Sequence, residues 1–461
     1  MRILLLNLPF NKTVIRRYQC SFNSHNFLFP PLELLYIAGS LKKEGYKDVT
    51  LLDCIPEKIN RKNLLKLISG INPDFIITQP GFEIFQYDIE TITLLKKTFQ
   101  TSKIILFGYY PSLFYKYIIK HSDIDYVVCG EPEYRIISIL KNERNYNGII
   151  DKNNFDEIIV DYSKLDRISD LENQPYPDYE LINIKYYSEP FAPKPYISMY
   201  TSRGCAFTCT YCIHSFGNNY YEMPAPAAFK KIEYFVNRYN PGTIRFMDDN
   251  FTTNKQRIID ICDLIINKKL RFQWSCLSRI DCLDETLIKK MSEAGCKRIY
   301  TGIETLDKST QAVFNKKIDI QKTNEVLKLM KINGIESFSF FIIDYDSYEN
   351  IKKKINEFLK LKLDLMSVCK LIPYPGTVLF NKFRNEIDFS LYPYKNIFKN
   401  SNYEKYSVNL EFYLLLRFYI RPLNMLKIFA RMFYYPAQTF SFIFRFFKYI
   451  LFKSFYKEDF I

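Results

Sequence analysis

Long uncharged apolar runs are missing from this chain. Its C-terminal region is rich in phenylalanine and leucine, yet no uncharged run there reaches the ~18–20 residues that a bilayer-spanning helix needs. The apolar start, Met1-Arg-Ile-Leu-Leu-Leu-Asn-Leu-Pro9, is too short for a secretory signal and leads straight into polar sequence, so it reads as a buried first strand. A second cysteine pair at the spacing of roughly a dozen residues typical of zinc knuckles is also missing. The 11 cysteines are an odd number diluted over 461 residues, which argues against a secreted disulfide scaffold and suits a reducing cytoplasm. Acidic residues are in short supply: 50 Asp and Glu against 64 Lys and Arg leave a formal charge of +14. Most of the lysines are scattered among asparagine, isoleucine and tyrosine, the pattern of a solvated surface, and no nucleic-acid partner is expected.

What is present is a globular composition, 48% hydrophobic, on a chain long enough for two domains and an appendage. In residues 1–140, five short apolar segments alternate with helical spacers: Ile3 to Leu6, Val49 to Leu52, Phe75 to Thr78, Ile104 to Phe107 and Tyr126 to Val128. That alternation predicts a parallel sheet covered on both faces, with ligands beyond the carboxyl ends of the strands. Asn7, Asp53, Thr78 to Pro80, Gly108, Gly130 and Glu131 fall there. Residues 141–194 lose the periodicity, and Gln174-Pro-Tyr-Pro-Asp178 marks turns, so this stretch reads as a linker. From Tyr196 a second rhythm begins, with strands expected at Tyr196 to Tyr200, Thr243 to Met247, Phe272 to Cys276, Arg298 to Thr301, Ser337 to Ile342 and Leu365 to Lys370. Helical patterns such as Lys255 to Ile266, Asp284 to Ala294 and Lys322 to Asn333 fill the gaps. The fold class is α/β: a doubly wound sheet, then a partial (β/α)6 barrel over 195–394, then an aromatic and basic helical tail over 395–461.

The barrel opens on Thr201-Ser-Arg-Gly-Cys-Ala-Phe-Thr-Cys-Thr-Tyr-Cys212. Four thiolates close an iron-sulfur cube, whereas three, here Cys205, Cys209 and Cys212, leave one iron free for a small molecule. The rival reading is a structural zinc site with His214 as fourth ligand. The spacing Cys-x-x-x-Cys-x-x-Cys, with Tyr211 before the last cysteine, resembles the signature of the radical S-adenosylmethionine (SAM) enzymes. The resemblance implies a 4Fe-4S cluster, SAM bound at the free iron, an electron donor such as flavodoxin or ferredoxin, and a 5′-deoxyadenosyl radical that abstracts hydrogen. It extends to Asp248-Asp-Asn-Phe-Thr252, Ser278-Arg-Ile-Asp281 and Gly302-Ile-Glu304, each following a predicted strand. By that resemblance Asp248 and Asp249 receive the SAM ammonium, Arg279 the carboxylate, Glu304 the ribose or substrate side, and Tyr211 joins the SAM-binding set. Each has a plainer rival: helix capping for Asp248, Asp249 and Glu304, a surface ion pair for Arg279.

The first domain resembles the cobalamin-binding domain that precedes many radical SAM cores, through Pro30-Pro-Leu-Glu-Leu-Leu-Tyr-Ile-Ala38, Val49-Thr-Leu-Leu-Asp53, Ile104-Ile-Leu-Phe-Gly108 and Asp125-Tyr-Val-Val-Cys-Gly-Glu-Pro-Glu133. It implies a flavodoxin-like sheet with Asp53, Thr78, Gly108, Gly130 and Glu131 at a cobalamin site. The chain departs from the pattern twice. It has no Asp-x-His-x-x-Gly motif to supply a histidine to cobalt, and Tyr109 stands where a second glycine usually makes room for the nucleotide tail. Two outcomes stay open: a cobalamin-carrying domain, or the same fold standing empty. A methylthiotransferase-like second cluster on Cys20, Cys54 and Cys129 is a further reading, although their contexts do not match that family and buried cysteines often serve as small hydrophobes.

Pro373-Tyr-Pro-Gly-Thr377 resembles a segment of the cobalamin-linked branch, and the tail is similar to those of relatives of the anaerobic magnesium-protoporphyrin ester cyclase. From Gln438 to Lys457 a helix would gather Phe440, Ile443, Phe444, Phe447, Ile450, Leu451 and Phe455 on one face, opposite Arg445, Lys448, Lys453 and Lys457. Such a helix either lies flat on a membrane or docks on the barrel. The resulting expectation is a cytoplasmic radical SAM enzyme, membrane-peripheral where the tail helix lies on a bilayer, acting on an unactivated carbon of a small or lipid-like substrate. Cobalamin-dependent methylation is the first expectation and oxidative cyclisation the second. A metal-stapled protein that binds RNA or membrane is the non-enzymatic rival.

Overall fold

A computed structural model describes residues 1–18, 21–23, 27–143, 146–160, 165–168, 170–214, 219–388 and 397–451. The chain divides into two compact units, the first built mainly from Met1–Glu189 and the second mainly from Pro190 onward.

In the first unit, β1 (Ile3–Asn7), β2 (Val49–Asp53), β3 (Phe75–Thr78), β4 (Lys103–Phe107), β5 (Tyr126–Val128) and β6 (Ile149–Ile150) form one sheet. Its order is β2-β1-β3-β4-β5-β6, parallel except for β6. This is the flavodoxin-like doubly wound order, and the strand order reverses between β1 and β3. Both faces of β1 and β3 are buried throughout, which is why these strands are continuous apolar runs rather than alternating ones. The helices end where local chemistry stops them. Asn60 caps Arg61–Ile71 by accepting from the Asn63 backbone, and Asn72, in the left-handed region at φ 50°, closes it.

The expected linker does not behave as a free connector as far as Glu189. Asp178 donates its backbone N–H to Leu35 (3.0 Å) and Ser188 to Leu28 (2.8 Å). The Gln174 amide donates to Glu133 (3.0 Å) and the Tyr187 hydroxyl to Asp53 (2.8 Å). Gly39 meets this segment so closely that an added Cβ would lie 2.0 Å from the Tyr176 carbonyl oxygen. A segment without periodicity is thus held by single polar contacts, which leave no pattern in sequence.

In the second unit, β7 (Tyr196–Met199), β8 (Thr243–Phe246), β9 (Gln273–Ser278), β10 (Cys296–Glu304), β11 (Glu336–Ile343) and β12 (Leu365–Lys370) lie side by side in chain order. All pairs are parallel, the arrangement of an open (β/α)6 barrel. Intervening helices begin at polar caps: Asn254, Asp284, Asp319 and Ser347 each accept a backbone N–H of the first turn.

The tail forms helices Ser401–Tyr419, Pro422–Arg431 and Pro436–Leu451. Pro422 and Pro436 open helices here, where a missing N–H costs nothing. Helix Ser401–Tyr419 lies along β12: Tyr403 donates to the Ile343 carbonyl (3.0 Å), Tyr419 donates to the Met366 carbonyl (2.9 Å) and accepts from its N–H (3.4 Å). The edge strand is thereby covered. Gln438 accepts from the Phe191 N–H (2.6 Å), and the Phe442 ring packs on Phe191 and Tyr419. Of the expected apolar face, Phe440 and Phe444 are largely exposed. The side chains of Arg445, Phe447, Lys448, Ile450 and Leu451, and residues Lys453, Phe455 and Lys457, lie outside the described residues. No described helix is long and apolar enough to cross a membrane.

Candidate active site

Strand β7 runs into the cysteine loop, which is fastened at both ends. At its start, the Asp248 carboxylate accepts from the Thr201 N–H (2.7 Å), the Thr201 hydroxyl (2.6 Å) and the Ser202 hydroxyl (2.6 Å). Arg257 donates to the carbonyls of Thr201 (2.9 Å) and Met223 (2.6 Å). Further along, Thr210 donates its N–H to Phe314 (3.1 Å) and its hydroxyl to Val313 (2.7 Å), while the Asn315 amide donates to the Thr208 carbonyl (3.1 Å). Leu379, just past the Tyr-Pro-Gly-Thr turn, donates to the Thr210 carbonyl (2.9 Å).

Cys205 and Cys209 on this loop are half-buried and Cys212 reaches solvent. Burial pushes the Cys205 thiol up to about 11 and raises Cys212 well above the ordinary range, with Asp249 and the neighbouring thiols adding to it. Cys212 is thus accessible and yet crowded by protein, the condition of a group in a concavity. Among the described residues no three His, Cys, Asp or Glu side chains converge closely enough to hold one metal ion. Thiols spread around a loop suit a multi-iron cluster, in which each binds a separate iron and the metal charge offsets the cost of ionising them. They do not form the compact zinc site considered from sequence.

The remaining motif residues gather at the carboxyl ends of β8–β10, but two of them have roles other than those expected. Asp248 is fully buried and gives three acceptor positions of its carboxylate to the loop, so it is an anchor of the loop rather than a group exposed to the SAM ammonium. It is not a helix cap either, because Asn254 caps the next helix. Asp249 lies close enough to raise the Cys205 and Cys212 thiols. Arg279 gives its paired donors to Asp281 (3.0 and 2.7 Å), turns Nη1 toward the Cys209 sulfur (3.3 Å) and stacks on Phe207 (4.0 Å). The fork expected to hold the SAM carboxylate is therefore occupied by Asp281.

Sequence reasoning missed the buried cation at this rim. Lys316 is 4% exposed and donates to Glu304 (3.3 Å) and to the Tyr211 hydroxyl (3.2 Å). Glu304 itself sits in the left-handed region at φ 65°, where the β10–β11 register shifts, a strained conformation that a non-glycine residue keeps only when its surroundings hold it. Gly302 makes the room: a Cβ there would lie 2.5 Å from Glu304 Oε1 and 2.8 Å from Lys316 Nζ. The cap of the helix Lys308–Phe314 is Asp307, not Glu304. Asn315, left-handed at φ 49°, ends that helix and aims Lys316 back at the rim. An Asn-Lys pair after a short helix was the only trace of this in sequence.

In the first unit, the expected cobalamin residues do lie at the carboxyl ends of the strands, but the chain itself uses them. Asp53 accepts from Asn7 (2.7 Å), Tyr187 (2.8 Å) and the Ile55 N–H (3.2 Å), and burial raises it to about 6. Thr78 donates to the Leu6 carbonyl (2.7 Å), and the Gly130 carbonyl accepts from the Tyr18 hydroxyl (2.6 Å). Glu131 accepts from the Ile168 N–H (3.1 Å) and faces Arg167. Gly108 adopts φ 111°, with Gln79 against it. Next to it, Tyr109 is buried and bonded through its N–H to the Tyr18 carbonyl (3.0 Å), and the Tyr110 ring packs on Phe82 (4.4 Å) and Phe85 (4.6 Å). Aromatic side chains thus fill the interval after β3 and β4, and these residues do not present a ready nucleotide-tail slot. Cys54 and Cys129 are buried with raised thiols, as small core residues are, and Cys20 lies outside the described residues. The surface depression near Lys96, Asp123, Asp125 and Lys152 is by the amino ends of β4 and β5, where ion pairs of 2.8 and 3.0 Å make it a solvated charged patch.

Comparison with known proteins agrees with this geometry. The chain is 28% identical over 393 residues to the uncharacterized methyltransferase PH0819 of Pyrococcus horikoshii, covering 82% of each. It is 25% identical to the anaerobic magnesium-protoporphyrin IX monomethyl ester cyclase of Cereibacter sphaeroides, covering 79% of this chain and 62% of that protein's length. Its fold is similar to that of the radical SAM methyltransferase TsrM from Kitasatospora setae, at a TM-score of 0.65 with 15% identity, covering 84% of this chain and 76% of that one. The model of the radical SAM superfamily matches residues 199–358, from the end of β7 through the helix after β11. With the three-thiol loop and its charged rim inside that segment, residues 199–358 of the chain form a radical SAM domain.

Proposed function

We propose that this chain is a radical SAM enzyme acting on an unactivated carbon of a small or lipid-like substrate, with Cys205, Cys209 and Cys212 as the cluster ligands. The observation that carries the reading is the fastened three-thiol loop sharing one rim with Asp249, Glu304, Tyr211 and Lys316. When bound, the cluster and SAM supply the electron and the 5′-deoxyadenosyl radical of this superfamily. The chain's own contribution is positional. Asp248, Thr210 and Asn315 fix the loop; Asp249 and Lys316 offer opposite charges to the ammonium and carboxylate of SAM; Arg279 donates to Cys209. Anaerobic reconstitution tests this: a brown 4Fe-4S chromophore and release of 5′-deoxyadenosine are expected, and a colourless protein that leaves SAM intact would overturn it.

Methylation with cobalamin as methyl carrier is the outcome that the methyltransferase relatives support. Oxidative cyclisation without a corrinoid is the second reading, favoured by the packed Tyr109 and Tyr110. Purification from cells supplied with cobalamin separates them: stoichiometric corrin absorption supports the first reading and its lack the second. The electron would come from a flavodoxin- or ferredoxin-like donor. A peripheral, cytoplasmic-side membrane contact is proposed for the tail, because Leu426, Phe433, Tyr434 and Phe440 are 64–88% exposed on two neighbouring helices and the turn between them. Truncation before Pro422 should then reduce sedimentation with anionic liposomes, and unchanged sedimentation would remove the proposal.

A further inference from the structure

The tail does more than cover an edge strand. Along β9–β12, half-exposed residues alternate with buried ones: Leu277 between Cys276 and Ser278, Phe338 and Phe340 between Ser337, Ser339 and Phe341, Ser367 between Met366 and Val368. The buried set faces the helices, as Phe341 does in packing on Phe358 (4.7 Å). A side-chain period of two therefore sends the other set into the barrel lumen. There the rings of Tyr300, Phe338 and Phe340 stand together, with centroids 4.7 Å apart for Tyr300–Phe338 and 5.5 Å for Phe338–Phe340. Phe340 lies between Gly302, which touches the Glu304–Lys316 pair, and Ser367. The wall is thus continuous with the rim.

Helix Ser401–Tyr419 runs along the β12 edge that borders this lumen. Glu404 pairs with Lys370 at the carboxyl end of β12, and Tyr419 bonds Met366 near its amino end. Glu411 stands between them on the helix, two turns past Glu404 and therefore on the same face. That places it beside the middle of β12, where Ser367 and Cys369 turn inward. Cys369 is exposed, yet burial raises its thiol, and the carboxylates it feels are Glu304 from one side and Glu411 from the other. Glu411 is half-buried and, among the described residues, has no hydrogen bond or ion pair; its nearest cation, Lys370, is already committed to Glu404. Burial pushes the Glu411 carboxyl up to about 7 against the pull of Lys370. A desolvated carboxyl group with no internal partner is costly to keep unless something else satisfies it.

We propose that Glu411 is a substrate-binding residue, receiving an N–H or O–H group of a substrate whose apolar body lies against Phe338 and Phe340. This rests on the reading of the neighbouring rim as the site of radical generation. It makes the substrate amphipathic, with a hydrogen-bond donor at the end remote from SAM. It also assigns part of the specificity to a helix outside the segment shared with the superfamily.

The test uses the full chain and two probes, phenethylamine and phenylacetate, with binding followed by calorimetry or saturation-transfer NMR. Phenethylamine should bind in preference to phenylacetate, and Glu411→Gln should weaken the amine by about tenfold while leaving the fold intact. Cys369→Phe, which keeps Glu411 but fills the lumen beside it, should also block binding. Equal affinity in wild type and Glu411→Gln, or no preference for the amine, would overturn the proposal. SAM cleavage measured without probe tells the two readings apart: its loss with amine binding retained sinks only the radical reading, and the reverse sinks only this one.

Discussion

The two parallel sheets end very differently. At the carboxyl ends of the first, each of the expected ligand-site residues is already bonded or packed within the chain, and Tyr18, Tyr109 and Tyr110 close the interval around them. At the carboxyl ends of the second, the thiols keep solvent access, a buried ion pair supports the rim, and half-exposed aromatic rings continue it inward. Topology alone would place a ligand at both, through the reversal of strand order in the first and the carboxyl face of the barrel in the second. What differs is whether the side chains around the strand ends satisfy one another or leave donors and space for something else.

The largest effect should come from the open end. Replacing Cys205, Cys209 and Cys212 together by Ala is expected to abolish both the iron-sulfur chromophore and 5′-deoxyadenosine formation; cleavage by the triple variant would erase the distinction between the two sheets. The closed end can be forced open with Tyr109→Gly and Tyr110→Gly, at an expected cost of about 3 kcal/mol or more per ring. In denaturant melts this loss should accompany a gain of corrin absorption in the folded fraction, and wild type that already binds as well would show the filling to be incidental. Asp248→Asn should cost about 2 kcal/mol, because a buried carboxylate accepting three hydrogen bonds is exchanged for an amide that must redirect one of them. Its cluster occupancy should fall in parallel. Lys316→Met leaves the chromophore in place but should weaken SAM binding about tenfold by removing the rim cation.

The smallest effect concerns Asp53. Burial raises its carboxyl to about 6, so the folded state holds a proton that the unfolded chain releases at lower pH. Its contribution to stability is present below about pH 4 and is lost as pH rises through 6. Asp53→Asn should flatten the dependence of melting temperature on pH across that window, and an unchanged slope would mean that Asp53 is ionised in the fold.

Both sheets were legible because their strands are short apolar runs separated by amphipathic helices, and a run such as Ile3–Asn7 leaves little choice of structure. The cysteine loop was legible for a different reason: three thiols in one short segment need no distant partner to be noticed. Asp248 shows where such reading stops. An acidic pair after a strand looks the same whether it faces a ligand or its own chain, and only the position of Thr201 and Ser202 tells which. Lys316 left only the Asn-Lys pair after a short helix as a local trace, and Glu411 left none. Each gains its meaning from a residue far along the chain, Glu304 for one and the β12 edge for the other.

The sequence by itself determined two parallel α/β units, the three-thiol loop and the family to which that loop points, since period, spacing and residue type act over short stretches of chain. Tertiary structure alone decided which of the charged groups remain available. Asp248 and the Arg279 fork are spent on the chain, Lys316 is delivered to the rim, and Glu411, among the described residues, is left without a partner at the lumen. The physical reason is that desolvation and hydrogen-bond satisfaction depend on what packs around a group, and that is fixed only when distant segments meet.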